Sequence, residues 1–196
     1  MSGEGTQWEA LLAFRNTILN RVATYVTAEN DLLLDFYGSI DDGSGVDLFI
    51  PAVANVAIKM TRPRLIDPND CPAVYITPAP QPAVSSLPHT VGDQGSVDQT
   101  IFVTSYVTGI IKVASPASAH KLNEEEVTLI GLALGVAVSK AIRVRSVGHT
   151  VWNADAGLIE PALQLSTIAP YNMGEDFEHS AAEVVQTWTV GQRLRY

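Results

Sequence analysis

The first regular pattern of apolar and polar positions lies near the N-terminus. Over residues 6–29, apolar side chains recur every three or four positions, and projection at 100° per residue places them on one face with polar residues opposite. The pattern predicts an amphipathic helix. Arg15 falls inside its apolar face, which permits two interpretations. Its aliphatic stem can pass along the apolar neighbours to water, or its guanidinium can pair with another subunit.

A second helix is predicted over residues 123–145. Between Val127 and Val138 only Thr128 is polar, which is far short of the roughly 20 apolar residues that cross a bilayer. Carboxylates precede this run and cations follow it, as the helix dipole favours, and Asn123 with Glu126 resembles a capping box. These features indicate a helix in water.

This second helix is apolar on two sides. One side carries Val127, Ile130, Leu134, Val138 and Ala141, and Gly131 and Gly135 beside it would permit close approach to a sheet. Leu129, Leu132 and Val136 cluster on the opposite side. A helix that is apolar on two sides is expected to be covered on both. The second cover is either the first helix or another subunit.

The remaining segments alternate in the manner of strands or contain turn residues. Residues 30–70 look irregular, with possible short strands in LLLDFYG and VANVAIKM, and residues 79–98 form a long loop rich in proline, glycine and serine. Further strands are predicted in PAVYITPAP, QTIFVTSYVTGII, HTVWNADAG, LIEPALQLSTIAPYN and AAEVVQTWTVGQRLRY.

The order of elements predicts the fold class. Consecutive strands joined by short loops favour antiparallel pairing, and two helices against one face favour a layered arrangement. We therefore expect one α+β domain over residues 1–196, with a mostly antiparallel sheet and two main helices packed on one face. We expect an irregular insertion from about residue 30 to residue 70, and a long loop from about residue 79 to residue 98.

Composition narrows the classes of partner and compartment. The 196 residues are 46% hydrophobic, enough for a substantial core, and carry a net charge of −9. Such an acidic chain is unsuited to gripping nucleic acid, although like charge would let DNA pass without sticking. A single cysteine, Cys71, excludes an internal disulfide. No secretory signal is visible, so we expect assembly in a reducing cytoplasm and no membrane contact.

Catalytic motifs are not recognisable. The four histidines, His89, His120, His149 and His179, are far apart in sequence, and no nucleophile elbow or phosphate-binding loop occurs. The stretch DDGSGVD does not match the register of a calcium loop. We expect no catalysis, no cofactor and no metal. The alternative from another class is a small hydrolase or ligand-binding domain, in which the histidines and Asp-rich loops would converge in a pocket.

The order of elements resembles the tail-terminator proteins of long-tailed bacteriophages, the family of minor tail protein U. The matching features, over about two-thirds of the chain, are an N-terminal helix TQWEALLAFRNTILNRVATYV, the strands PAVYITPAP and TIFVTSYVTG, a helix EEEVTLIGLALGVAVSKAI, and the final strand AEVVQTWTVGQRLRY. The resemblance implies a virion protein of the tail and neck. It would form a hexameric ring on the last ring of tail-tube subunits, end polymerisation there, and present a surface to the neck or connector protein.

The same resemblance implies the partners. They are other copies of the chain, the tail-tube protein, the neck protein, a sheath protein if the tail contracts, and DNA only as cargo passing through the lumen. For the ring contact we predict Arg15 and the face of Leu129, Leu132 and Val136. For docking to tube or neck we predict the loop and the basic end of the chain, with His89, Asp93, Asp98, Arg193 and Arg195. Another neck or head-completion ring protein is the nearest alternative.

Overall fold

The computed structural model describes residues 4–39, 48–61, 72–78, 96–111, 124–143, 162–171 and 180–195. These segments contain two helices and five strands, so the chain has the mixed α+β character that its sequence predicts. In chain order the elements are α1 (Glu4–Ser39), β1 (Asn55–Ile58), β2 (Ala73–Pro78), β3 (Ser96–Ile111), α2 (Glu124–Arg143), β4 (Ala162–Tyr171) and β5 (Ser180–Arg195).

The five strands lie in one sheet in the order β1-β2-β3-β5-β4. β1 runs parallel to β2, whereas β2 with β3, β3 with β5, and β5 with β4 pair antiparallel. The longest ladder joins β3 to β5 and runs without interruption from Ser96 opposite Arg195 to Ile111 opposite Ser180. β3 and β5 therefore form the central ribbon to which the shorter strands are added.

The first helix is longer than its sequence pattern predicts. LLLDFYG, predicted as a short strand, lies within α1, which continues to Ser39. The prediction was wrong because three consecutive leucines carry no clear period, and short apolar runs do not distinguish strand from helix. In the structure Leu33 continues the buried face of Val22 and Val26, while Leu32 and Leu34 on either side of it are exposed.

Both helices share one core with residues of the sheet. Alternate strand residues point to the same side, and on this side Val74, Ile76, Val184 and Trp188 are buried. Their cluster includes Phe14, Ile18 and Val22 of α1 and Ile130, Leu134 and Val138 of α2. The ring centroids of Phe14 and Trp188 lie 6.3 Å apart in an edge-on arrangement, so α1 contacts β5 at this position.

α2 approaches β5 closely at Gly135. A Cβ atom at this position would lie 3.0 Å from Cγ1 of Val184 and 3.4 Å from Nε2 of Gln186, so the prediction of close approach is confirmed for this glycine. The buried Gln186 side chain donates hydrogen bonds to the carbonyl oxygen of Gly135 at 2.8 Å and to Oγ of Ser139 at 2.9 Å. Its Oε1 accepts one from Trp188 at 3.3 Å. Gln186 thereby fixes both the position and the rotation of α2.

Gly135→Ala should lower the free energy of unfolding by about 1 kcal/mol. Overpacking costs about 1–3 kcal/mol, and the higher helix propensity of alanine relative to glycine offsets about 1 kcal/mol of this cost. Urea denaturation measures this difference. In a Val184→Ala background the methyl group that clashes is gone, so the same Gly135→Ala change should be neutral or stabilising. A stabilising effect in both backgrounds would contradict the close contact.

Candidate subunit interface and docking surfaces

One flank of α2 is open to solvent, whereas the opposite side of the helix is buried. Leu134 and Val138 are 0% exposed, whereas Leu132 is 51% and Val136 38% exposed. Leu129 is partly buried and packs at the edge of the core. Spacings of three and four residues place these side chains on one side of the helix. We call Leu129, Leu132 and Val136 the α2 stripe. The structure thus brings together the three residues that the sequence predicts for the ring contact.

The first helix does not provide the second cover. α1 packs against α2, and the contact is marked by the ion pair between Nζ of Lys140 and the carboxylate of Glu29, a residue that is almost fully buried. Lys140 lies one turn beyond Val136, yet Val136 and Leu132 stay exposed. The interpretation in which α1 shelters this side of α2 is therefore wrong for these two residues.

Arg15 is held within its own chain. It is half-buried, and its Nε donates a hydrogen bond to the carbonyl oxygen of Val56 in β1 at 3.2 Å. Its Nη1 lies 3.4 Å from Oδ1 of the neighbouring Asn16. The guanidinium therefore links α1 to the edge strand β1. A further contact with a neighbouring subunit stays a prediction.

The central ribbon extends beyond the other strands. β2 begins to pair with β3 only at Val103, and β4 reaches β5 only as far as Thr189. Within the described segments, residues 96–101 and 190–195 therefore pair with each other alone, over six residue pairs. At about 3.3 Å per residue this ribbon is about 20 Å long. We call it the β arm. Each of its strands has an edge that no described strand covers.

Three predicted docking residues lie on the β arm. Asp98 is directly opposite Arg193, and Arg195 is opposite Ser96. The sequence placed Asp98 in the long loop, but β3 already begins at Ser96, because pairing with β5 continues through Gln99 and Asp98 although the apolar alternation is interrupted at Gln99. The other two predicted docking residues, His89 and Asp93, lie outside the described residues.

A second open surface was not predicted. The exposed residues of α1 between positions 11 and 30 carry no charge, and we call them the α1 face: Leu12, Asn16, Leu19, Asn20, Ala23, Thr24, Thr27 and Ala28. The chain as a whole is 17% charged, and the charged residues in this part of α1 are half-buried, as for Arg15 and Arg21, or buried, as for Glu29. The Asn and Thr residues of this face lie on the polar side of the predicted helix, whereas Leu12 and Leu19 project onto its apolar side but are 38% and 49% exposed.

Two further observations concern ligands and membranes. Among the described residues, no group of three or more His, Cys, Asp or Glu side chains is placed to hold a metal ion. Neither of the described helices is apolar over a length that would cross a bilayer.

Replacing Arg15 with Met should lower the free energy of unfolding by about 1 kcal/mol, because the hydrogen bond to Val56 is lost while the aliphatic stem remains. Arg15→Lys is the matched control, since it keeps the charge but cannot reproduce the geometry of Nε; it should recover less than half of the loss. Thermal or urea unfolding gives the measurement. Unchanged stability together with a smaller assembly would instead assign Arg15 to a neighbouring subunit.

Comparison with known proteins does not extend these observations. No family model matches the chain, and no curated protein matches it in sequence. The resemblance to tail terminators therefore depends on the pattern and order of elements, and any function has to be argued from the surfaces described above.

Proposed function

We propose that this chain is a structural virion protein of the tail-terminator type. In this role it forms a ring, most simply a hexamer, that sits on the end of the tail tube, stops further addition of tube subunits and joins the tail to the neck. The ring assembles in the host cytoplasm and functions in the virion. No catalytic step is required, and DNA passes through the lumen without being gripped.

The observation that carries the proposal is the exposed α2 stripe. Leu132 and Val136 lie at the middle of a helix whose opposite side is buried, and they are large apolar residues that are 51% and 38% exposed. Burial of the remaining surface of each would contribute about 1 kcal/mol. Exposed apolar patches on soluble proteins commonly mark sites of association. A ring supplies that cover for every copy, because heterologous contacts form a closed ring when the rotation between neighbouring copies closes.

The proposal includes the finer fold description, a mostly antiparallel sheet with both main helices on one face. The antiparallel pairing of β3 with β5 and the shared core of α1 and α2 support it. This arrangement agrees with the order of elements on which the resemblance to tail terminators depends. In it, the two helices can make contacts between copies.

The β arm is our proposed docking element for tube or neck. A two-stranded ribbon is marginal in water without further contacts, and open strand edges readily pair with another chain. Asp98, Arg193 and Arg195 occupy register positions on this arm. Together with His89 and Asp93 they remain our candidates for contact with the tube or neck protein, and with the sheath if the tail contracts.

Leu132→Asp should give soluble, folded monomers, because a carboxylate cannot be buried in an apolar contact without a large desolvation cost. The side chain is half exposed in the single copy, so stability should change by less than about 0.5 kcal/mol. Light scattering after gel filtration measures the mass, and circular dichroism the helix content. Leu165→Asp, at a similarly exposed leucine on β4, is the matched control. A ring that survives Leu132→Asp refutes the assignment of the α2 stripe.

The end-capping function is testable with purified tail-tube protein. Tubes polymerised with the wild-type chain should be shorter, and electron microscopy should show a ring at one end of each, whereas Leu132→Asp should leave tube length unchanged. If the ring instead binds the portal or connector complex and ignores tube ends, the chain is a neck ring protein and not a terminator.

A further inference from the structure

We propose that the α1 face is the surface that receives the α2 stripe of the next copy. The contact between copies is then heterologous, with two different surfaces on every chain, and repeats until the ring closes. This inference rests on the proposed function and deepens it, because it names the second half of the ring contact. The partner is another copy of this chain.

The exposed residues of the α1 face carry no charge. The face covers residues 12–28, about 25 Å of helix at 1.5 Å per residue, and the two arginines within this span, Arg15 and Arg21, are half-buried. Charge returns immediately beyond it, at the exposed Asp31 and Asp35. Depletion of charged residues is the compositional mark of the buried centre of an interface. A helix face that serves only for solubility has no reason to avoid charge over more than about four turns.

The α2 stripe is the partner surface that fits the α1 face. It is also uncharged, between the exposed Glu125 and the exposed Arg143, and its Leu132 and Val136 are exposed. Among the described residues each copy therefore carries two neutral exposed surfaces, on different helices. Contact of one stripe with another stripe would cover only the first surface. Contact of a stripe with an α1 face covers both, with a single kind of interface.

The two surfaces also complement each other in side-chain size. Leu132 and Val136 are branched side chains at least 38% exposed, whereas Ala23, Thr24, Thr27 and Ala28 of the α1 face are short. Helices pack when the ridges of one enter the grooves of the other, and alternation of large with small residues across the contact fills the space best. Leu19, at 49% exposure, can contribute the main apolar contact from the α1 side.

The net charge makes a neutral contact advantageous. Each copy carries −9, so neighbouring copies repel each other, and salt screens that repulsion. An apolar contact is not weakened by salt, whereas an interface built on exposed ion pairs would be. The contact should therefore persist or tighten when sodium chloride is raised to about 1 M, a concentration at which the Debye length is about 3 Å.

A mixing experiment separates the two halves of the contact. Leu19→Asp disables the α1 face and leaves the α2 stripe intact, whereas Leu132→Asp does the reverse. Each variant alone should be a folded monomer of 21.0 kDa. Mixed in equal amounts, they should form a 1:1 dimer, because one intact stripe still meets one intact α1 face, and this dimer should persist at about 1 M salt. Leu32→Asp is the control on the same helix. Leu32 is 55% exposed but lies outside the α1 face, so this variant should assemble like wild type.

The outcomes distinguish this inference from the proposed function. If Leu19→Asp still forms the wild-type ring while Leu132→Asp does not, the α2 stripe has a different partner and the inference is overturned, but the ring remains. If the two folded monomers fail to combine, or if salt dissociates their dimer, the α1 face is again excluded. If the wild-type chain itself is monomeric, the ring and the inference fail together.

Discussion

The close contact of α2 with β5 determines what the rest of the molecule presents to its surroundings. Because position 135 has no side chain, the helix backbone comes within van der Waals contact of Val184, and Gln186 can reach the carbonyl oxygen of Gly135. The bonds from Gln186 to Ser139 and Trp188 then fix the rotation of the helix. A helix held in this rotation buries Ile130, Leu134 and Val138 and turns Leu132 and Val136 outward. The exposed stripe is therefore a consequence of the packing on the other side of the same helix.

The buried polar groups also fix the rotation of α2. An apolar helix on an apolar strand can slide or rotate with little loss, because hydrophobic contacts are not directional. Gln186 is 1% exposed, and rotating α2 away from it would leave buried donors unpaired at a cost of about 1–3 kcal/mol each. The ion pair of Lys140 with Glu29 adds a second fixed point toward α1. Together they explain why the apolar stripe cannot simply turn inward.

Much of this architecture could be predicted from periodicity, and the failures have physical causes. The regular alternation in QTIFVTSYVTGII and AAEVVQTWTVGQRLRY predicted β3 and β5, and the 3.6-residue period predicted both helices. LLLDFYG was assigned to a strand because three adjacent leucines have no period, and only tertiary contact makes Leu33 the buried one. The sequence could not show whether the α2 stripe is exposed in a single copy. The same apolar pattern is expected whether a helix of the same chain or a neighbouring copy covers that side.

The α1 face and the β arm were missed for different reasons. The Asn and Thr residues of the α1 face could be read from the polar side of the predicted helix, whereas Leu12 and Leu19 project onto its apolar side, and only the structure shows that they are exposed. The β arm depends on where partner strands stop, at Val103 and Thr189, and no local pattern encodes the end of a ladder. Both features concern what the fold leaves open, which only the assembled structure defines.

The central claim, that other copies cover the apolar surface left open by one chain, is tested most directly by the native mass of the purified wild-type protein. Native mass spectrometry should give a single closed multiple of 21.0 kDa, six copies in the simplest case, that persists on dilution to low micromolar concentration. A species of one chain mass at every concentration would contradict the account.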